Sequence, residues 1–325
     1  DLRIRLDGRL VPGWLPRAAV AVVLVVLLGS WGRPLWGGHA ADPRLFIAQI
    51  PPAWTAAIED AQTATPPNTR IAVFPGELFA AYRWGNAQNS IVPAISRRPV
   101  LIRQITRPAS TNAAQLLDST DNALQQGRLM PGQLPTLLQL MGVGRVLVAT
   151  DQQPTANLAL DPARVSQALS QQPGFARPAA VFGPVQTFRP PRDRDGPPVR
   201  LPQVRAYAAP VPHRPGIIRA HPAASPSIVD GDAEGVVSMA AVGALDPQRA
   251  LFYSGDLDRS GAGTGRLLSE GARLVFTDSN RRRPVLTSLL RTNIGATLGP
   301  DDPLPRVFPL YDPFPDLGVS GRTEA

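Results

Sequence analysis

The stretch Ala18 to Leu28, AAVAVVLVVLL, carries no charged or polar side chain, and Arg3, Arg5, Arg9 and Arg17 stand before it. A Trp/Gly/Pro-rich segment, Trp31 to Gly38, follows it. A run of this kind reads either as the core of a membrane-spanning helix or as the apolar centre of a secretory signal. A span needs about 20 largely apolar residues, and a signal core only about 7–15. Extended from Trp14 to Trp31, the run makes a marginal span, with Arg17 snorkelling towards head groups and Trp14, Trp31 and Trp36 at the interfaces. Gly38-His39-Ala40 would serve as a small-x-small cleavage site. The chain begins at Asp1 rather than Met, which favours a stretch of a longer protein and hence the spanning helix. On either reading the residues after about 40 are expected beyond a membrane, and the arginines before the run place the preceding residues in the cytoplasm.

Composition narrows the function classes. All 33 basic residues are arginine, cysteine is absent and the net charge is +8. An arginine-only chain rich in Ala, Pro and Gly has the composition of a GC-rich genome, so its charge is weak evidence of nucleic-acid binding. The arginines are scattered and aromatics make up only 6% of residues, whereas nucleic-acid binders cluster charge on one face. No nucleic-acid partner is expected. Without cysteine, disulfides contribute nothing, which is compatible with an extracytoplasmic location. Proline, 37 of 325 residues, is about twice as frequent as usual and favours long irregular connections.

The fold class expected is α/β: one transmembrane helix followed by α/β layer subdomains with mostly parallel strands and long Pro-rich loops. Residues 1–13 read as a juxtamembrane segment and 14–32 as the transmembrane helix. A small α/β domain covers 45–152. It holds a helix over 53–64 opened by Pro51-Pro52, a strand over 70–74, and a helical turn or two over 77–84. A polar loop over 85–90 follows, then helices over 112–126 and 133–141, each stopped by a glycine, and a strand over 145–150. Residues 153–225 read as a Pro-rich, irregular linker region with a helix over 162–170 and short strands over 179–188 and 203–209. Over 226–320 a second α/β unit alternates strand and helix: strands at 227–231, 250–253 and 273–278, helices at 233–242 and 263–270. That alternation predicts parallel strands with crossover helices.

Chemistry-bearing candidates sit after strands, where open parallel sheets gather ligands. Asp278, Asn280, Arg281, Arg282 and Arg283 follow the last strand, and three guanidinium forks suit a phosphate or carboxylate; equally, Asp278 and Asn280 would cap a helix beside a solvated arginine face. Asp230-Gly231-Asp232 is the pattern of a divalent-metal site on a diphosphate, and equally of a turn with a helix cap. Glu77, Tyr82 and Trp84 could bind a sugar, the aromatic faces stacking on ring C–H groups; the same rings suit a core. His39, His213 and His221 are too dispersed for a metal site, and Gly261 to Gly265 lacks the G-K-[ST] of a phosphate loop. No nucleophile elbow or cysteine nucleophile is present. No cofactor and no firm metal site is expected.

The ordered series IPPAW, RIAVFPGELFAAYRWG, RVLVATD, SIVDGDAEGVVSMAAVGAL, LFYSGDL and VFTDSNRRR, downstream of the apolar run, resembles the large actinobacterial alpha-(1→3)-arabinofuranosyltransferases, the D-type membrane enzymes of arabinan synthesis. The similarity runs from about Asp1 to Ser320. It implies a polytopic GT-C glycosyltransferase that moves arabinofuranose from a decaprenyl-phosphate donor to cell-wall arabinan on the outer side of the plasma membrane. Catalysis in such enzymes usually rests on an acidic residue in an early extracytoplasmic loop, outside this chain, so no catalytic residue is carried over. The partners implied are the decaprenyl-phosphate-linked arabinose donor, the arabinan acceptor and the lipid bilayer. Two other readings stand beside it: a non-catalytic carbohydrate-binding or structural module using Glu77, Tyr82 and Trp84, and a secreted α/β enzyme with an acidic metal site at Asp230 and Asp232.

Overall fold

A computed structural model describes residues 5–6, 9–10, 14–31, 47, 49–76, 80–87, 89–103, 111–153, 162–189, 198–211, 216–222, 225–261 and 263–277. The Asp278 to Arg283 cluster, Glu77, His39 and His213 lie outside these residues. Two compact units divide the chain: Asp1–Ala48 with Trp84–Asn86, and Gln49–Arg83 with Ala87–Ala325.

In the first unit, β1 (Arg5–Leu6) pairs antiparallel with β2 (Arg9–Leu10), and α1 spans Trp14–Trp31. The apolar run is thus helical, as expected. Val20, Val23, Val25 and Leu28 are each more than half exposed, and Trp31 is 83% exposed. From Ala18 to Leu28 the helix is apolar all round, with no inward stripe. Its 18 residues rise about 27 Å, against a hydrocarbon core of about 30 Å. Among the described residues no helix is long and apolar enough to cross a membrane.

The second unit is built on two sheets. The larger has the order β6-β3-β7-β9-β8, from β3 (Arg70–Phe74), β6 (Val100–Leu101), β7 (Val143–Ala149), β8 (Ala180–Phe188) and β9 (Val199–Ala208). β6, β3 and β7 run parallel; β9 pairs antiparallel with β7, and β8 with β9. The sheet is covered on both faces, which is why β3 and β7 read as nearly unbroken apolar runs. Alternate residues part to opposite sides. Ala72, Phe74, Val146 and Val148 join the main core, with Leu124, Leu134, Leu137, Leu138, Val165 and Leu169. Those partners come from α4 (Thr111–Gln125), α5 (Gln133–Leu140) and α6 (Pro162–Ser170). Ile71, Val73 and Leu147 are equally buried but stand outside that cluster. Their side belongs to α2 (Pro52–Ala64), which packs on β7, β8 and β9 and buries Trp54, Ala57, Ile58 and Ala61. Arg145 lies in register with Ile71, and its guanidinium pairs with Asp60 of α2. Proline in the first turn opens α2, and α4 and α5 stop where Gly127 and Gly142 take φ of 64° and 70°, left-handed geometry that favours glycine.

The smaller sheet has the order β11-β10-β12, all parallel, from β10 (Ser227–Asp230), β11 (Leu251–Tyr253) and β12 (Arg273–Phe276). Helix α7 (Ala233–Ala241) makes the first crossover; α8 (Ser254–Ser260) and α9 (Thr264–Ser269) make the second. Val229, Val236, Val237 and Met239 belong to the same apolar cluster as α4 to α6, so the two sheets share one core.

Several expectations are corrected. The 77–84 region holds a strand, β4 (Ala80–Tyr82), where a helical turn was expected, and the 85–90 loop holds β5 (Gly85–Ala87). The main chain at Arg83 and Gln153 bonds to Asp151 and Ala81, and that ladder outweighs local helix preference. The span 153–225 is no separate linker: β8 and β9 are strands of the larger sheet, and they make its outer part antiparallel. Short elements without a periodic signal, α3 (Val92–Ile95), β6 and α8, were not anticipated.

Leu138 is fully buried in the shared core. Leu138→Ala is expected to cost about 2–5 kcal/mol, read as a lower urea midpoint at unchanged slope. A loss below about 1 kcal/mol would show that α5 is not part of the core.

Candidate functional site

The carboxyl ends of β3 and β7 and those of β10, β11 and β12 carry most of the polar constellations, and α4 links the two edges. At the first edge, β3 runs into Pro75, joined by a cis peptide, and Gly76. The Gly76 N–H donates to Asp121 Oδ1 of α4 at 2.9 Å, and Gln125 Nε2 donates to Asp121 Oδ2 at 2.6 Å. Arg103 Nη1 lies 3.6 Å from Asp121 Oδ2 and Arg103 Nε 3.7 Å from Asp118 Oδ1. Arg103 Nη1 also donates to Asn122 Oδ1 at 2.6 Å. A Cβ on residue 76 would strike the Arg103 side chain, so glycine alone lets these groups close.

Burial drives the Asp121 carboxyl up from the ordinary 3.8 to about 6, with Asp118 adding repulsion; the Gly76 N–H, Arg103 and Gln125 oppose the rise. Asp121 therefore changes protonation near neutrality. Its side chain is wholly buried, so it cannot meet a substrate directly. It is a proton-sensitive tie between β3 and α4.

Beside it, Asp151 follows β7. Its Oδ2 accepts from Trp54 Nε1 and Gln203 Nε2, both at 2.8 Å, and Gln152 Nε2 donates to Pro75 O at 2.6 Å. Trp54 stacks edge-on against Tyr82 at 6.1 Å. Tyr82 is 1% exposed, and its hydroxyl lies 3.1 Å from Ser90 Oγ. A ring so enclosed offers no face to a sugar, which corrects the expectation for Tyr82. Trp84 is half-buried and belongs to the other compact unit.

At the second edge, the chain leaves β10 for β11 on one side and reaches β12 on the other. This is a topological switch point, where crevices form in open parallel sheets. Asp230, Gly231 and Asp232 occupy it. Asp232 Oδ1 accepts from the N–H groups of Glu234 and Gly235 at 2.8 and 3.2 Å, so it is the cap of α7. Asp230 Oδ1 accepts from Ser254 Oγ at 2.7 Å. Among the described residues no group of three His, Cys, Asp or Glu is placed to hold a metal ion. His221 sits apart, its Nδ1 2.7 Å from Gln248 O. Tyr253, at the end of β11, has its hydroxyl pKa raised by burial and by the nearby carboxylates of Asp232 and Asp256. Asn112 Nδ2 of α4 donates to Asp256 Oδ2 at 3.3 Å and joins this edge to the first.

Asp121, Arg103, Asp151 and Trp54 were not singled out from sequence. Apart from Gln125, one helical turn from Asp121, their partners lie 15 to 97 positions away, beyond any local motif. The one local signal was the placing of Pro75-Gly76 and Asp151 directly after apolar strands.

The architecture defines a mixed α/β protein preceded by a helix that is apolar from Ala18 to Leu28, with its polar groups gathered at parallel carboxyl edges. Residues 7–308 match the family described as alpha-(1->3)-arabinofuranosyltransferase, N-terminal GT-C domain, and the chain belongs to that family. The alpha-(1->3)-arabinofuranosyltransferase of Mycobacterium tuberculosis is 29% identical over 186 residues, covering 54% of this chain and 13% of that protein. Its counterpart in Mycolicibacterium smegmatis is 28% identical over 169 residues, covering 52% and 12%. The chain thus matches only a small part of the length of these relatives. The cryo-EM structure of arabinofuranosyltransferase AftD from Mycobacteria shares the fold with a TM-score of 0.62 and 22% identity, covering 79% of this chain and 20% of that one. A mutant form of that enzyme gives 0.60 at 22% identity, covering 83% and 21%.

Because the Asp121 pKa is raised, the folded state holds a proton between pH 3.8 and about 6 that the unfolded chain has released. Stability should fall as pH rises through that window, by at most about 1.4 kcal/mol per unit, and level off above it. Asp121→Asn should abolish this component, checked by urea denaturation at pH 4.5 and 7. A variant that keeps the full slope would assign the proton elsewhere.

Proposed function

We propose that this chain is the extracytoplasmic part, with one adjoining membrane helix, of an enzyme that transfers arabinofuranose from a decaprenyl-phosphate donor to cell-wall arabinan. The family match over residues 7–308 carries the reading. In the reaction an acceptor hydroxyl attacks the anomeric carbon, the bond from that carbon to the phosphate oxygen breaks, and decaprenyl phosphate leaves. On this reading the acid and base of that step stand outside this chain. Two facts support it: the chain aligns with only 13% of a curated relative, and the most perturbed carboxyl described here, Asp121, is sealed from substrate. The α/β unit then scaffolds the outer face of the membrane core and meets the acceptor.

Helix α1 is read as a span, with Arg3, Arg5, Arg9 and Arg17 on the cytoplasmic side and the residues after about 40 outside. Its all-round apolar surface supports this: a helix without a polar face is stable only inside a protein core or a bilayer. Its shortness is tolerable among neighbouring helices, where the bilayer thins to match.

Two measurements test the proposal. The full chain should float with liposomes and resist extraction at high salt and alkaline pH, and a double Val23→Arg, Leu24→Arg variant should stay in the soluble fraction. Wild-type chain recovered in the soluble fraction would overturn the span. The chain alone should not turn over a decaprenylphosphoryl-arabinose donor; measurable transfer by it would overturn the placement of catalysis elsewhere.

A further inference from the structure

Two helices end where β3 begins. Helix α2 stops at Ala64, and the Arg70 N–H donates to Gly142 O at 2.8 Å, which brings the end of α5 to the first residue of the strand. The last carbonyls of a helix lack partners within it, and arginines meet them here. Arg98 donates through Nη2 to Thr65 O and Pro66 O, Arg70 through Nη1 to Met141 O at 2.9 Å, and Arg219 to Gln139 O and Leu140 O. These bonds use one or two of the five N–H groups of each guanidinium. Among the described residues no carboxylate is paired with any of the three. Asp60, the acid nearest this turn in sequence, is taken by Arg145. Burial lowers the pKa of Arg70 and of Arg219, and at Arg219 the charge of Arg70 lowers it further. Arg97 stands exposed beside Arg98, its main-chain N–H donating to Gln62 Oε1 of α2 at 2.6 Å. Arginines scattered along the sequence are thus gathered at the amino end of the larger sheet, from the α2 layer, the strand and the α5 layer. This edge is open: Pro66, Pro67 and Asn68 are exposed. The Ile217 N–H donates to Asn68 O at 2.7 Å, which seats the segment before Arg219 on the same turn. Ile218, between them, is 91% exposed, more than any other large apolar side chain among the described residues.

We propose that this amino-end edge is a peripheral contact for an anionic lipid surface, with Ile218 entering the headgroup boundary and Arg70, Arg97, Arg98 and Arg219 meeting lipid phosphates. The chemistry selects that partner. Cations without counter-charges are drawn to an anionic bilayer surface, and an aliphatic tip among them gains by leaving water for the acyl boundary. The tip is aliphatic rather than aromatic, so it gives the bases of a nucleic acid nothing to stack on. Charge also sets the orientation. Asp118, Asp121 and Asp151 stand at the other end of β3 and β7, so the surface that attracts one end of these strands repels the other. The unit therefore docks by its basic edge and turns its carboxyl edge away from the lipid. The contact does not depend on α1 being a span, since every residue in it belongs to the unit Gln49–Arg83 with Ala87–Ala325.

The test uses the full chain carrying Val23→Asp and Leu24→Asp, which keeps α1 out of a bilayer without adding cations. The vesicles are phosphatidylcholine alone, or phosphatidylcholine with about one third phosphatidylglycerol. At low salt the chain should co-sediment with the anionic vesicles and bind the neutral ones at least about tenfold more weakly. Salt at about 0.5 M should release it, because screening there confines charge attraction to a few ångströms. In the same background Ile218→Asp should weaken binding to the anionic vesicles at least about tenfold, and Arg97→Gln about fivefold. Both side chains are exposed, so the thermal midpoint should not move. Equal binding to the two vesicle types would overturn the proposal. So would binding unmoved by both variants, which would assign the attraction to the arginines before α1. Capture by polyglutamate without binding to anionic vesicles would give the edge an acidic protein partner and overturn the lipid reading. Insertion of α1 is read separately, in the unmodified chain on neutral vesicles, so neither result decides the other.

Discussion

The unit Gln49–Arg83 with Ala87–Ala325 depends on helix α4 being held at both ends of its polar side. The Gly76 N–H fixes Asp121, and Asn112 reaches Asp256. One helix thereby ties the end of β3 in the larger sheet to the end of β11 in the smaller one. Its apolar side supplies Leu117, Ala123 and Leu124 to the core that both sheets share. An apolar core alone sets only the side on which a helix packs; it leaves sliding along the axis soft. Directional bonds at Asp121 and Asn112 remove that freedom. The cost is a carboxyl held out of water, which Gly76, Gln125 and Arg103 offset only in part, as its raised pKa records.

The same constraint explains where chemistry can occur. Helices cover both faces of the larger sheet, so its faces are closed. Ends of parallel strands point one way, and loops there are free to carry polar groups without disrupting a ladder. Asp151 with Trp54 and Gln203, Asp121 with Arg103, and Asp230 with Ser254 all occupy such ends. The antiparallel pair β9 and β8 extends the sheet sideways, and its Gln203 returns to brace Asp151. Even the strands that break the parallel pattern therefore serve the same edge.

Much of this fold was legible in the residues because its strongest elements are periodic and well punctuated. The strand Arg70–Phe74 and the helix Thr111–Gln125 lie within a residue of where apolar spacing and glycine stops put them. The crossover pattern of β10 to β12 followed from strand and helix alternating. What stayed hidden depends on distance along the chain. Tyr82 and its neighbours form a strand because Asp151 and Gln153 offer main-chain partners, which no local propensity reveals. β8 and β9 looked like parts of a linker because proline and charge surround them, although Val204 and Ala206 are fully buried. The site was less legible still. Asp121 lies within a helix where an exposed acid would look the same; only the approach of Gly76, 45 positions earlier, distinguishes it.

Charge distribution sets the character of these edges. The protein carries a net charge of +8, yet the described carboxyl edges collect Asp118, Asp121, Asp151, Asp230, Asp232 and Asp256. A basic protein with an acidic edge has separated its charges. Carboxylates crowded at such edges repel one another, and each is offset by a directed partner: Arg103 faces Asp118 and Asp121, Ser254 donates to Asp230, and Asn112 donates to Asp256.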